Sequence, residues 1–248
     1  MKNLDLHLRE NQKNSELWRK KTILRKIYYQ FYKDISEQLL INDHKITAEI
    51  GSGIGNIQEV IPHCIRTDIF QSNSVHETQN AYSLSWKDES VCNLILFDAF
   101  HHLRYPGMAL SEFHRVLIPG GRVVLFEPCM SLLGLLVYGL LHPEPIAFKE
   151  KIIWNAPDQW NKNGADDYAA QGNAFRIFIK DDYSEQLTNW TVKKSQRFAS
   201  ISYVLSGGYS KPQMFPDFAY PLLEKVDMLC NALPAIFATR LLIVLEKK

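Results

Sequence analysis

Three glycines alternate with other residues in Glu49-Ile50-Gly51-Ser52-Gly53-Ile54-Gly55, where an apolar run gives way to a helix-like one. Glycine at every second position lets the main chain approach a ligand where side chains would block it. Carboxylates bracket the loop. Glu49 precedes it, and Asp68 follows Gly51 by 17 positions, at the end of the next apolar run. A carboxylate offers two acceptor oxygens, which suits an ammonium group or two vicinal hydroxyls. A second set of residues has the chemistry to move protons: Asp98, His101, His102, Glu127, His142 and Glu144. The cysteines (Cys64, Cys92, Cys129, Cys230) are scattered with no C-x-x-C pair. Neither a disulfide framework nor a structural zinc site is expected, and a reducing, cytoplasmic setting is the default. The spacing of His, Cys, Asp and Glu shows no metal-ligand cluster, so no metal is expected.

These residues need elements to hold them. Residues 13–42 read as one or two amphipathic helices, with Leu17, Leu24, Tyr28, Phe31, Ile35 and Leu39 near one face. Residues 45–50 form a short apolar strand, and residues 56–64 a helix that stops at Pro62. Residues 64–70 are a second strand, and residues 75–84 contain a weaker third. The strong buried strand is 90–100, followed by a helix over 108–118 that Pro119-Gly120-Gly121 ends, and by a strand over 122–128. Strands alternating with helices predict a doubly wound, mostly parallel sheet covered on both faces. Residues 130–185 break the alternation and read as an insertion. A strand with its extension over 191–205, a helix over 221–233 and a last strand over 239–248 complete the sheet.

The spacing E-x-G-x-G-x-G departs from the dinucleotide pattern G-x-G-x-x-G, because position 56 is Asn. It resembles the first motif of class I S-adenosylmethionine-dependent methyltransferases. Asn80-Ala81-Tyr82-Ser83-Leu84-Ser85-Trp86 is similar to that family's D-A-x-x-L-P-F stretch, with Asn80 for Asp and Ser85 for Pro. Residues 88–103 resemble its fourth-strand region, with Cys92 where Asp is common. Leu110-Ser111-Glu112-Phe113-His114-Arg115-Val116-Leu117-Ile118-Pro119-Gly120-Gly121 matches its L-x-E-x-x-R-V-L-x-P-G-G signature, which the ubiquinone/menaquinone-biosynthesis methyltransferases share. The resemblance covers residues 45–128. It implies a Rossmann-like, seven-stranded sheet with an N-terminal helical cap (1–44), a core (45–129 and 186–248) and an acceptor-site cap (130–185). It further implies S-adenosylmethionine as cofactor, held by Glu49, Gly51, Ser52, Gly53, Gly55, Asp68, Ile69, Asn80, Ala81, Tyr82, Phe97, Asp98 and Ala99. Within this set Glu49 would meet the ammonium, Asp68 the ribose hydroxyls and Asn80 the adenine.

Methyl transfer from a sulfonium is an in-line displacement, so alignment supplies much of the rate, and oxygen or carbon acceptors also lose a proton. His102, His142, Glu144 and Asp98 are the candidate catalytic residues, beyond the ends of the central strands. Trp154, Trp160, Tyr168, Phe175 and Phe178 furnish the insertion with aromatic walls or a packed lid. Tyr28 and Tyr29 close the pocket or pack in the core. The chain has 28 basic and 27 acidic residues, and no basic stripe with interleaved aromatics, so nucleic acid is not the expected partner. The acceptor is expected to be a small or lipid-linked molecule, methylated on oxygen or carbon. The run Met130–Leu141 is too short to span a bilayer and reads as a buried helix or pocket wall, with peripheral membrane contact as the alternative. The competing function is a catalytically inactive cofactor-binding regulator or scaffold. An NAD-dependent oxidoreductase ranks below it because of the glycine spacing. The oligomeric state has no sequence signal.

Overall fold

The computed structural model describes residues 2–42, 44–161, 168–180 and 182–248. Its strands are β1 (Ile46–Ile50), β2 (Ile65–Asp68), β3 (Glu77–Thr78), β4 (Val91–Phe97), β5 (Leu117–Pro128), β6 (Trp190–Ala199) and β7 (Ala238–Lys247). They form a seven-stranded sheet in the order β3-β2-β1-β4-β5-β7-β6. β3 through β5 run parallel, and β7 lies antiparallel to both β5 and β6. The strand order reverses between β1 and β4, and there the carboxyl ends of neighbouring strands diverge and open a crevice.

Both faces of the central strands are buried, which explains their near-continuous apolar runs. Leu94, Leu96, Val123, Leu125, Leu241, Ile243 and Leu245 face one core cluster. Ile95, Val124, Phe126, Leu242 and Val244 alternate with them and face the other. The N-terminal residues make two helices, α1 (Lys2–Lys20) and α2 (Thr22–Ser36). α2 buries Ile23, Leu24, Ile27, Tyr28, Phe31, Tyr32 and Ile35 against the second face. On the first face lies α3 (Pro106–Val116), started by a proline whose fixed φ suits the first turn. The insertion contributes α4 (Leu132–Leu136), continued by a wider π turn, and α5 (Asn173–Phe178). Three further helices, α6 (Ile201–Ser206), α7 (Tyr220–Cys230) and the short α8 (Pro234–Phe237), separate β6 from β7.

Three expectations are corrected. Residues 56–64 give one 3-10 turn, Asn56–Glu59, instead of a helix. Gly55 at φ 72° and Pro62 leave room for barely a turn, and α2 already covers that face. The weak third strand is Glu77–Thr78, within the expected 75–84, and no helix joins it to β2 among the described residues. Residues 201–206 are helical, because the Asp227 carboxylate caps the Ile201 and Ser202 amides at the helix start. The apolar run 130–141 is buried on one side only. Gly134 and Tyr138 point inward, while Leu132, Leu136, Leu140 and Leu141 are exposed. No helix among the described residues is long and apolar enough to cross a membrane.

Candidate active site

The glycine loop leaves β1 with Gly51, Gly53 and Gly55 all at positive φ (76°, 53° and 72°), a region L side chains seldom adopt. A Cβ on Gly51 would come within 3.0 Å of the Ala99 Cβ, and one on Gly55 within 2.6 Å of the Ser74 carbonyl oxygen. Ser52 stitches the loop to β2, donating its amide to the Thr67 carbonyl (2.8 Å) and accepting the Thr67 amide on Oγ (3.2 Å). The Gly53 amide donates to Asp68 Oδ2 at 3.0 Å. Glu49 is buried, and its Oε2 has no hydrogen-bond partner among the described residues. Burial pushes its carboxyl up to about 7. Helix α1 crosses over the loop and brings His7 Nε2 to 3.5 Å from Asp68 Oδ1, a contact with no sequence signal.

The remaining expected ligand-contact residues divide between the crevice and the core. Ile69 is exposed beside Asp68. Asn80 Oδ1 accepts the Tyr82 amide (2.9 Å), so its carbonyl end shapes its own turn. Ala81 is buried, and the Tyr82 ring lies 5.0 Å from Trp160. Phe97 stacks between Phe126 (4.9 Å) and Tyr28 (5.1 Å), in the core under α2. Tyr28 thus packs rather than closes a pocket, and Tyr29 donates to Glu59 at the surface. Trp154 stacks on Tyr183, while Phe175 and Phe178 join the core.

Asp98 takes a left-handed conformation (φ 49°), and both its carboxylate oxygens lie 2.8 Å from Nη2 of Arg240. The guanidinium is buried among Phe126 (4.7 Å), Tyr203 (5.3 Å) and Phe97 (5.4 Å). Both Asp98 oxygens are thus engaged by the arginine, on the side of the strand end away from the histidine cluster. The visible signal for Arg240 was one arginine inside an otherwise apolar strand.

A polar cluster lies on the other side of Ala99. Glu127, buried at the end of β5, accepts the amides of Ala99 (3.0 Å) and Phe100 (2.7 Å) on Oε1 and holds His101 Nδ1 with Oε2 at 2.6 Å. His101 Nε2 lies 3.4 Å from Glu144 Oε2. His102 donates Nδ1–H to the Tyr168 carbonyl (3.0 Å) and directs Nε2 toward Glu144 Oε1 at 3.8 Å. His142 Nδ1 stands 3.9 Å from Glu144 Oε2. Gln171, which sequence reasoning missed, is buried among them. Its Nε2 donates to Glu144 and lies 3.2 Å from His101 Nε2, while its Oε1 has no partner among the described residues. The insertion positions it through main-chain bonds from Gln171 to Pro145 and from Ala170 to His101.

The charges follow from this packing. Burial opposes a charge on His101, but the Glu127 and Glu144 carboxylates outweigh it and raise the imidazole to about 10. Burial likewise opposes ionisation of Glu144, but its bond to His101 and the three nearby imidazoles pull it down to about 2. His102 is lowered by burial and then by the charge on His101. One donor atom from each of His101, His102 and Glu144 falls within 4.8 Å of the others, because the insertion returns Glu144 to the end of β4.

Residues 48–125 match the family model described as a methyltransferase domain. A Thermotoga maritima structure, described as an S-adenosylmethionine-dependent methyltransferase and possible histamine N-methyltransferase, superposes with a TM-score of 0.54. The two share 14% identity over 97% of this chain and 99% of that one. Geranyl diphosphate C-methyltransferase from Streptomyces coelicolor A3(2) superposes with a TM-score of 0.50 at 12% identity, over 88% of this chain and 76% of that one. At such identity these likenesses establish the fold. No curated protein matches the sequence.

Proposed function

We propose that this class I S-adenosylmethionine-dependent methyltransferase methylates a hydroxyl of a small-molecule acceptor held against the His101–His102–Glu144–Gln171 cluster. The site's residues fit the cofactor. The unpartnered Glu49 Oε2 calls for a donor such as an ammonium, the three positive-φ glycines leave a cradle that side chains would fill, and Asp68 presents an oxygen beside the loop. S-adenosylmethionine, when bound, supplies a methyl group already activated by its sulfonium.

The chain's own residues do the rest. One observation carries the reading: Glu127 ties the cofactor loop and the polar cluster to a single support. Its Oε1 fixes Ala99, against which Gly51 packs, and its Oε2 fixes His101. Rigid placement of acceptor and donor sites on one frame converts binding into alignment. Gln171 Oε1 is an unpaired buried acceptor, so an incoming hydroxyl finds a place to donate. The acceptor proton is drawn off at the same cluster. His101 already carries its proton, and Glu144 is too acidic to hold one near neutrality. His102 stays neutral, with its Nε2 lone pair free on the acceptor side.

Small acceptors are also favoured by a neighbour of the same fold, the geranyl diphosphate C-methyltransferase. The test pairs calorimetric binding of S-adenosylhomocysteine with a methyl-transfer screen of hydroxylated small molecules. Binding plus transfer, with His102→Ala lowering turnover and leaving the cofactor Kd unchanged, supports the reading. Tight binding without transfer to any acceptor favours a cofactor-binding regulator. Transfer that His102→Ala leaves untouched removes the cluster from the reaction.

A further inference from the structure

We propose that the His101–His102–Glu144 cluster is a binding site for one divalent transition-metal ion of the zinc type, completed by Gln171. The inference deepens the function proposed above and rests on it for its chemical role: with the ion bound, His101 would release its Nε2 proton, both imidazoles would give their Nε2 lone pairs to the metal, and the ion would replace His102 as the group that lowers the acceptor hydroxyl's pKa.

The donor set comes first. Two imidazole nitrogens and one carboxylate are a ligand combination that binds zinc and its neighbours and leaves a position open for an exchangeable oxygen. One donor atom from each residue lies within 4.8 Å of the others, so the set is gathered and contracts to reach tetrahedral spacing. Around an ion with bonds of about 2.1 Å, tetrahedral ligand atoms stand about 3.4 Å apart. His101 Nε2 and Glu144 Oε2 are 3.4 Å apart, and His102 Nε2 and Glu144 Oε1 are 3.8 Å apart. His102 and Glu144, with side chains 44% and 31% exposed, have the freedom to draw in and give the ion a route from solvent.

The supporting contacts are those a metal site uses. A ligating histidine normally gives its other ring N–H to a carboxylate or a carbonyl, which fixes the tautomer and aims the free nitrogen. His101 gives Nδ1 to the buried Glu127 at 2.6 Å, and His102 gives Nδ1 to the Tyr168 carbonyl at 3.0 Å. Both rings are therefore held with Nε2 directed at Glu144. Gln171 adds an independent observation. It is 2% exposed, and its Oε1 is unsatisfied among the described residues while its Nε2 lies between His101 and Glu144. Turning the amide about its last torsion exchanges the two atoms and offers an oxygen to the ion, in exchange for the bond that Nε2 now gives Glu144. His142 Nδ1, 3.9 Å from Glu144 Oε2, already accepts the Glu144 amide (3.3 Å) and is not assigned as a ligand.

The experiment uses the full chain, freed of metal by a chelator and titrated with cobalt(II), whose visible absorption reports low-coordinate nitrogen and oxygen ligation. Zinc is then titrated by calorimetry. The expected result is one equivalent bound per chain, with affinity at least tenfold weaker in His102→Ala and in Glu144→Gln and unchanged in His63→Ala, a surface histidine. Both test variants alter partly exposed side chains, and circular dichroism verifies that they fold. Absence of a cobalt spectrum, or binding that both test variants retain, overturns the inference. S-adenosylhomocysteine is titrated into the same metal-free sample. Cofactor binding without metal binding defeats the metal site alone, and metal binding without cofactor binding defeats the methyltransferase reading alone.

Discussion

Nη2 of Arg240, on β7, sits 2.8 Å from each carboxylate oxygen of Asp98, at the end of β4, although 142 positions separate the two in sequence. The pair is asymmetric: the arginine side chain is 2% exposed and the aspartate 27%. Asp98→Ala strands a buried guanidinium and is expected to cost about 3–5 kcal/mol. Arg240→Met leaves a carboxylate that water reaches, and an apolar chain inside an aromatic box, so the expected cost is smaller, about 1–3 kcal/mol. Urea unfolding of both variants checks the order. Equal losses would mean that the pair is not the source of the stability.

Glu49 gives a pH dependence. Its carboxyl is raised by burial from 4.5 to about 7. Between those values the folded protein holds a proton that the unfolded chain has released, so stability falls as pH rises from about 4.5 and levels off above about 7. The shift amounts to roughly 3 kcal/mol. A bound ammonium favours the ionised form, so S-adenosylhomocysteine affinity is expected to increase between about pH 5 and pH 8. Glu49→Gln should flatten both curves, as thermal unfolding and calorimetry across that range will show.

Three loop glycines share a backbone conformation with Gly120 but not its surroundings. Gly120→Ala meets nothing within 4 Å and is expected to cost only the left-handed strain, about 1 kcal/mol. Gly55→Ala also drives a Cβ to 2.6 Å from the Ser74 carbonyl, so the loop must move. It should destabilise more than Gly120→Ala and weaken S-adenosylhomocysteine binding at least tenfold. Comparable behaviour of the two variants would show that the loop tolerates displacement.

Asp68 is expected to carry much of the cofactor's stabilising effect. A ligand that binds only the folded state raises the melting temperature by mass action. Asp68→Ala should abolish most of the rise that saturating S-adenosylhomocysteine produces, and NAD should produce none in either protein. A full shift in Asp68→Ala would remove the ribose contact from this residue.

His142 and His102 stand at nearly the same distance from Glu144, 3.9 and 3.8 Å, and differ in what the near nitrogen already does. His142 Nδ1 accepts the Glu144 amide, whereas His102 gives Nδ1 to the Tyr168 carbonyl and keeps Nε2 toward Glu144. His142→Ala is expected to lower turnover less than His102→Ala, with cofactor affinity unchanged in both. The reverse order would move the proton transfer to His142.

Much of the cofactor half was legible in the chain. The demand for glycine at positions 51, 53 and 55 is a local property of φ, and the apolar runs of β1, β4 and β5 record burial on both faces. Such signals survive in one dimension because each depends on a residue and its near neighbours. The acceptor half was legible only as a set of candidates. His101, His102 and Glu144 were visible as chemistry-bearing types, but not that the insertion would fold Glu144 back onto the end of β4. Gln171 carried no local signal and Arg240 only that of an arginine in an apolar strand, because an amide or an arginine gains its role from what it faces. The short 3-10 turn after the glycine loop belongs to the same class, since α2 had taken the face that a helix there would cover. The sequence by itself determined the alternation of strands and helices that makes a doubly wound sheet, and the glycine cradle after its first strand. Only the tertiary structure decided which distant polar groups share a buried, weakly screened space, and that proximity sets their charges and their chemistry.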